Sequence, residues 1–296
     1  MPRSRLLQRW RRWRARRNLI RSSDPPPTLE QPVSQAATAA QFAESHYPRW
    51  CDAIRERPKL HRKQWEFVYV LRALESCGML AEGKAGLGFG VGREPLVAAI
   101  ATRGPSVLAT DLPPEHPDAA GWASSGEYGG SLDALNERGI CPEEIFRDRV
   151  RFDFVDMRNA EGLTGLYDFV WSSCALEHLG SPEAGLRFLR ASLERLAPGG
   201  VAVHTTEFNV SSETKTVESG PVVLYRRRDL VALAQEVRAA GFEIELNLNT
   251  GSEAADRHVD IWPYDAPWHL KMLHTRFATT SIGLLIRRPV AAGALA

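Results

Sequence analysis

Four glycines fall at alternate positions in the stretch GLGFGVGREP: Gly86, Gly88, Gly90 and Gly92. A backbone without side chains lets a bound group come close, and this spacing suits a nucleotide-type ligand on a strand-to-helix turn. Asp111 follows at the end of the next strand, where a carboxylate can accept hydrogen bonds from both hydroxyls of a ribose. Asp156 and Met157 stand at the end of a third strand. There an acid can take an adenine amino group while the next backbone N–H meets the ring. Glu177 and His178 lie further on, in SSCALEHL, a loop facing the same ligand. Imidazole titrates near neutral pH, so His178 is a candidate general base.

These residues need a frame that brings several strand ends to one edge. KAGLGF reads as a strand, residues 94–103 as a helix, and SVLAT as a strand ending at Asp111. VRFDFV is a strand ending at Asp156, YDFVWSS a buried strand, residues 181–196 a helix and GVAVHTT a strand. Residues 227–241 read as helical, and FEIELNL and TTSIGLLI as the last two strands. Such alternation implies an α/β fold, a mostly parallel sheet with helices on both faces. Ligands of such sheets bind beyond the carboxyl ends of the strands. Ahead of the sheet, residues 41–82 read as helical, with Trp65, Val68, Leu71 and Leu74 on one apolar face.

The chain has 296 residues, 44% of them hydrophobic and 25% charged, enough for one large α/β domain with attachments. No apolar run is long enough to span a bilayer. The basic start carries no apolar core of a secretory signal. Cys51, Cys77, Cys141 and Cys174 form no CxxC pair, which predicts reduced thiols in a cytoplasmic protein. Nine arginines and no acids fall in residues 1–23, leaving 28 basic and 36 acidic side chains in the rest. An acidic body argues against broad nucleic-acid binding by the main domain. The arm itself, with Leu6, Trp10 and Trp13 at helical spacing, suits an anionic membrane surface, placing the protein at its inner face, or RNA. Residues 1–40 are read as this basic arm and a poorly ordered linker rich in Pro, Ser and Ala.

Dinucleotide sites want a third glycine where this chain has Arg93. With its glycine loop, Asp111, Asp156, YDFVWSSCALEHL and LAPGGVAVHTTEF, the chain resembles the class I S-adenosylmethionine-dependent methyltransferases over residues 84–287. The resemblance implies a Rossmann-like seven-stranded sheet with an antiparallel edge hairpin over residues 83–290. An N-terminal helical cover (41–82) accompanies it, with Tyr47, Trp50 and Trp65 as cover residues. The implied cofactor is S-adenosyl-L-methionine, held by Gly86, Gly88, Phe89, Gly90, Gly92, Glu94, Asp111, Leu112, Asp156, Met157 and Ser173. Many relatives carry Asp or Glu where this chain has Gly86, and Glu94 is the expected substitute.

The loop after the fourth strand lacks the (Asp/Asn)-Pro-Pro-(Tyr/Phe) of enzymes that methylate base or amide nitrogens. Its Glu-His pair resembles oxygen-directed members, with His178 as base and Glu177 beside it. Small-RNA ribose methyltransferases bind a divalent ion here through two glutamates and a histidine. Cys174 replaces the first glutamate and no downstream histidine matches, so no metal is expected. His204 is expected in the core. Glu207, just past strand five, faces the substrate opening. Insertions near 209–225 and 250–277 suit a lid and a substrate wall. In the second, His258, Asp260, Tyr264 and His269, with Trp268, combine polar groups and aromatic faces suited to a sugar. The expectation is O-methylation of a saccharide or similar polar small molecule. RNA 2′-O-methylation, methylation of a glycolipid at a membrane, and a non-catalytic cofactor-binding module remain open alternatives.

Overall fold

The computed structural model describes residues 19–290; the expected helix around Leu6, Trp10 and Trp13 lies outside them. In chain order the elements begin with β1 (Ser34–Ala36), α1 (His46–Ala53), α2 (Arg62–Ser76), β2 (Ala85–Phe89), α3 (Leu96–Thr102) and β3 (Ser106–Asp111). Next come α4 (Ala119–Ser125), α5 (Glu143–Arg149), β4 (Val150–Phe154), β5 (Tyr167–Ser172), α6 (Pro182–Glu194) and β6 (Leu196–Asn209). The chain closes with α7 (Arg227–Ala239), β7 (Glu243–Ile244), β8 (Leu246–Asn247), β9 (Met272–His274) and β10 (Phe277–Arg287).

One sheet runs in the order β4-β3-β2-β5-β6-β10-β1-β8, with β7 and β9 also paired to β10. The first five strands are parallel, and β10 lies antiparallel to β6. This is the Rossmann-like methyltransferase sheet, parallel at its centre with antiparallel strands near the C-terminus. The seven expected strands become ten because the edge beyond β10 is built from short pieces. FEIELNL splits into β7 and β8, and β1 comes from the segment read as a linker. Ser34, Gln35 and Ala36 are fully buried there. Arg72 of α2 holds the approach to β1, donating to the carbonyls of Leu29 and Glu30 at 2.8 Å each. Asp24 accepts from the Leu248 N–H at 2.8 Å.

Strands buried on both faces read as continuous apolar runs rather than alternating ones, as β5 and β10 do. Each face has its own core. Trp50, Trp65, Leu71 and Ile100, from α1 to α3, pack on one side against Phe169 and Trp171. On the other, Phe188 and Leu189 of α6 and Leu230, Leu233 and Val237 of α7 meet Phe89, Val170 and Ile282. Ser181 caps α6, its hydroxyl accepting from the Ala184 N–H, and Pro182 takes the first helical position.

Two expectations change at this level. Tyr47, Trp50 and Trp65 are core residues with no more than 1% exposure, rather than a cover over the cofactor. β6 continues to Asn209, so Glu207 sits inside the strand instead of past it. His204, also in β6, is the expected core histidine. It bonds the hydroxyls of Ser172 and Ser192, and burial lowers its pKa to about 3.

Candidate active site

A cavity of about 660 Å³ opens beyond the carboxyl ends of the parallel strands. Gly90 and Gly92 line it at the β2–α3 turn, with φ of 55° and 51°. A β-carbon on Gly90 would stand 3.1 Å from the Met157 sulfur, and one on Gly92 2.7 Å from the Glu127 carbonyl oxygen. Only glycine keeps this cradle open. Asp111, Leu112, Asp156, Met157, Glu94 and Ser173 line the same cavity.

Asp111 is fixed by its own loop, Oδ1 accepting from the Leu112 N–H at 2.8 Å and Oδ2 from Gly129 at 2.9 Å. A carboxylate has about four acceptor positions, so places remain for hydroxyl donors. Burial raises the Asp111 pKa against these backbone hydrogen bonds. Asp156 lies past β4 as a cap, accepting from the Arg158 N–H at 3.0 Å.

Gly86, Gly88 and Phe89 do not line the cavity. Gly86 is mid-strand, and a β-carbon there would meet the Phe169 ring at 2.2 Å. The same addition at Gly88 would meet Trp171 at 2.4 Å. Both serve the packing of β2 on β5, and Phe89 packs edge-on against Phe188 in the core.

The other end of the cavity holds a charged network centred on the first turns of α2. Arg62 pairs closely with Glu207, and Lys63 reaches Glu94 at 2.9 Å. Beneath them Glu66, fully buried, accepts from Ser281 at 2.6 Å and Thr205 at 2.8 Å. Thr279 donates to Glu207 at 2.7 Å, and Thr206 to Glu177 at 2.9 Å. Burial raises Glu94 to about 7 despite Lys63, and burial also raises Glu207 against the pull of Arg62. The Cys174 thiol stands well above its usual range, through desolvation first and then Glu177 and Glu66.

His178 borders this network. Its Nδ1 lies 2.7 Å from the Pro221 carbonyl oxygen, and its ring meets Trp122 edge-on. A carbonyl only accepts, so Nδ1 carries the proton and Nε2 presents a lone pair. His269 also lines the cavity. It pairs with the buried Asp260 at 2.8 Å and stacks on His61, whose pKa burial lowers to about 4. Backbone bonds from His269 to Leu60 and from Arg62 to His269 tie the 256–274 segment to the start of α2. Asp260 therefore stands behind the wall, supporting His269. His258 packs edge-on with Trp268, and the Tyr264 hydroxyl donates to Leu273. Neither lines the cavity.

Arg62, Lys63, Glu66, Cys174, Trp122 and Tyr128 carry no site role in the sequence reading. Tyr128 donates to the Leu112 carbonyl at 2.8 Å and closes the wall beside Asp111. The aromatic-glycine run GWASSGEYGG, residues 121–130 in the loop region after Asp111, is the signal that marks this wall. For α2 the signal is polar Arg62, Lys63 and Glu66 at helical spacing, ahead of an apolar run.

A family profile described as a methyltransferase domain matches residues 62–247. The chain belongs to this methyltransferase family. Solved methyltransferase structures match the chain at low identity. One is the magnesium protoporphyrin IX methyltransferase of Synechocystis PCC 6803 with bound SAH, at 15% identity and a TM-score of 0.45. The match covers 84% of this chain and 97% of that one. An O-methyltransferase family protein of Burkholderia thailandensis matches at 15% identity and a TM-score of 0.42, over 84% of this chain and 69% of that one. The N-methyltransferase NodS of Bradyrhizobium japonicum WM9 matches at 15% and 0.45, over 77% and 96%. No curated protein sequence matches the chain.

The cofactor of this methyltransferase is S-adenosylmethionine, and the cavity fits it. The glycine cradle admits a backbone-close ligand, Asp111 offers acceptors suited to ribose hydroxyls, and Asp156 with Met157 lines the same cavity. When bound, the group supplies an electrophilic methyl for in-line displacement. The protein's tasks are to align an acceptor with it, exclude water and take up a proton. Among the described residues no helix is long and apolar enough to cross a membrane.

Proposed function

We propose that the methyltransferase acts on oxygen of a polar hydroxylated small molecule, a saccharide in first place, with His178 as general base. The observation that carries this reading is the anchoring of His178 Nδ1 on the Pro221 carbonyl, which leaves Nε2 as a proton acceptor at the cavity. A hydroxyl acceptor needs such a base, whereas an amine is already nucleophilic when neutral. The lining supports the acceptor class: Arg62, Glu207, His269 and Thr279 offer donors and acceptors to several hydroxyls, and Trp122 offers an aromatic face. The Glu177 carboxylate, 4.0 Å from His178 Nε2, stabilises an imidazolium once the proton has been taken.

Incubation with methyl-labelled cofactor and fractionated cell extract tests the acceptor. Label in the polar small-molecule or glycan fraction supports it, and label confined to RNA, lipid or protein overturns it. The same assay tests the base. His178→Ala should lower turnover by about 10²–10⁴-fold with cofactor affinity little changed. Unchanged turnover would remove His178 from that role.

A further inference from the structure

Three buried atoms of the charged network have no hydrogen-bond partner among the described residues, Arg62 Nε, Glu94 Oε2 and Glu177 Oε1, and the last stands among potential metal ligands. Glu177 is 1% exposed, its Oε2 accepts from Thr206, and its Oε1 has no hydrogen-bond donor. The nearest imidazole nitrogen, Nε2 of His178, is 4.0 Å away, beyond hydrogen-bonding distance. A buried, ionised oxygen without a donor is costly. The surroundings increase that cost. Among the described residues Glu66, Glu94 and Glu207 share the two cations Arg62 and Lys63, neither of which pairs with Glu177, and Asp260 is paired separately to His269.

Three donor atoms converge at this point. One atom each from Cys174, Glu177 and Glu207 lies within 4.8 Å of the others. Each is held by surrounding groups, and the Cys174 Sγ also lies 3.6 Å from Glu66 Oε1. The Cys174 backbone, at φ 53°, is held by its N–H on the Thr205 hydroxyl at 3.0 Å. Thr206 holds Glu177. Thr279 and Arg62 hold Glu207, and Arg62 is itself braced on Ser281 at 3.1 Å. Partners that orient ligands in this way are the usual outer layer of a metal site.

We propose that Cys174, Glu177 and Glu207 bind one divalent cation of the zinc class at the acceptor end of the cavity. A thiolate with two carboxylates favours borderline metals over magnesium or calcium. The sequence reading expected no metal because no downstream histidine completes the set; the folded chain supplies Glu207 from β6 instead. Binding deprotonates Cys174, and that proton leaves to solvent. The two positive charges offset the carboxylate excess. Three protein ligands leave a coordination position open, as in catalytic zinc sites. If the acceptor is a hydroxyl, which rests on the reading above, its oxygen can take that position and lose its proton more readily.

The test uses the full chain, stripped with a chelator and dialysed. Zinc is titrated by calorimetry and cobalt(II) by absorption. The expected result is one equivalent of either ion, with a thiolate-to-cobalt charge-transfer band in the near ultraviolet. Cys174→Ser should abolish the band, and Glu177→Gln should weaken zinc at least tenfold while circular dichroism stays native. Cys77→Ser, a control at a thiol outside the network, should keep both. Sub-stoichiometric binding, a band that survives Cys174→Ser, or zinc affinity indifferent to Glu177→Gln would overturn the site. No acceptor is present in these titrations, so their failure leaves the hydroxylated-acceptor reading standing. Label found only outside the polar fractions removes that reading and leaves the metal result untouched.

Discussion

A β-carbon on Gly86 would meet the Phe169 ring at 2.2 Å, so the carboxylate that many relatives carry at this position has no room here. Gly86→Asp should therefore lower stability by about 1–3 kcal/mol from overpacking alone, with desolvation of the new charge adding to it. Phe169→Ala should cost less in the Gly86→Asp chain than in the wild type, as read from urea midpoints, because the two residues compete for one space. The absence of the acid was legible in the sequence, but the ring that fills its place comes from a strand far along the chain. Glu94 was singled out in the sequence and lines the cavity, but its Lys63 partner was not legible. Because the folded Glu94 pKa of about 7 exceeds its ordinary 4.5, the folded state holds a proton the unfolded chain has lost between these values. That contribution to stability is complete below about pH 4.5 and is lost as pH rises to about 7. Glu94→Gln should flatten the pH–stability curve within this window, and an unchanged slope would contradict the assignment.

The α2 helix shows where an element was half legible. Its apolar face was legible from spacing, and Trp65, Val68, Leu71 and Leu74 are fully buried, Trp65 in the core instead of over the cofactor as expected. Its first turns deliver Arg62, Lys63 and Glu66 to the active-site network, which periodicity alone does not reveal because it says which face is buried and not against what. β1 was illegible for a related reason. Three residues in a Pro- and Ala-rich stretch carry no strand signal of their own, and only the open edge of β10 recruits them. Arg72 holds that approach with two bonds from a charged donor, each worth roughly 1.5–3 kcal/mol. Arg72→Ala should speed amide exchange at Gln35 and Ala36 before the rest of the sheet responds. Exchange there that stays as slow as in β5 would show that Arg72 does not secure the strand.

For the molecule as a whole, strand–helix order fixed the sheet and the edge at which ligands collect, because each element's pattern is local. The 256–274 segment was legible as a substrate wall, but neither its contacts nor those of the 113–142 segment were, since what fixes them is distant in sequence. Tyr128 is held by the Leu112 carbonyl, and His269 by the start of α2. A cofactor that binds only the folded chain stabilises it by mass action, by about 2.7 kcal/mol at one hundred times its dissociation constant. Thermal scans with S-adenosylhomocysteine should show that gain in the wild type. The central claim is that this cavity holds the cofactor through the glycine cradle and Asp111. Calorimetric titration of S-adenosylhomocysteine into the wild type and Asp111→Ala tests it most directly. One site per chain is expected, weakened by about 1–3 kcal/mol in the variant. No binding to the wild type at millimolar ligand, or equal affinity in the two proteins, would contradict it.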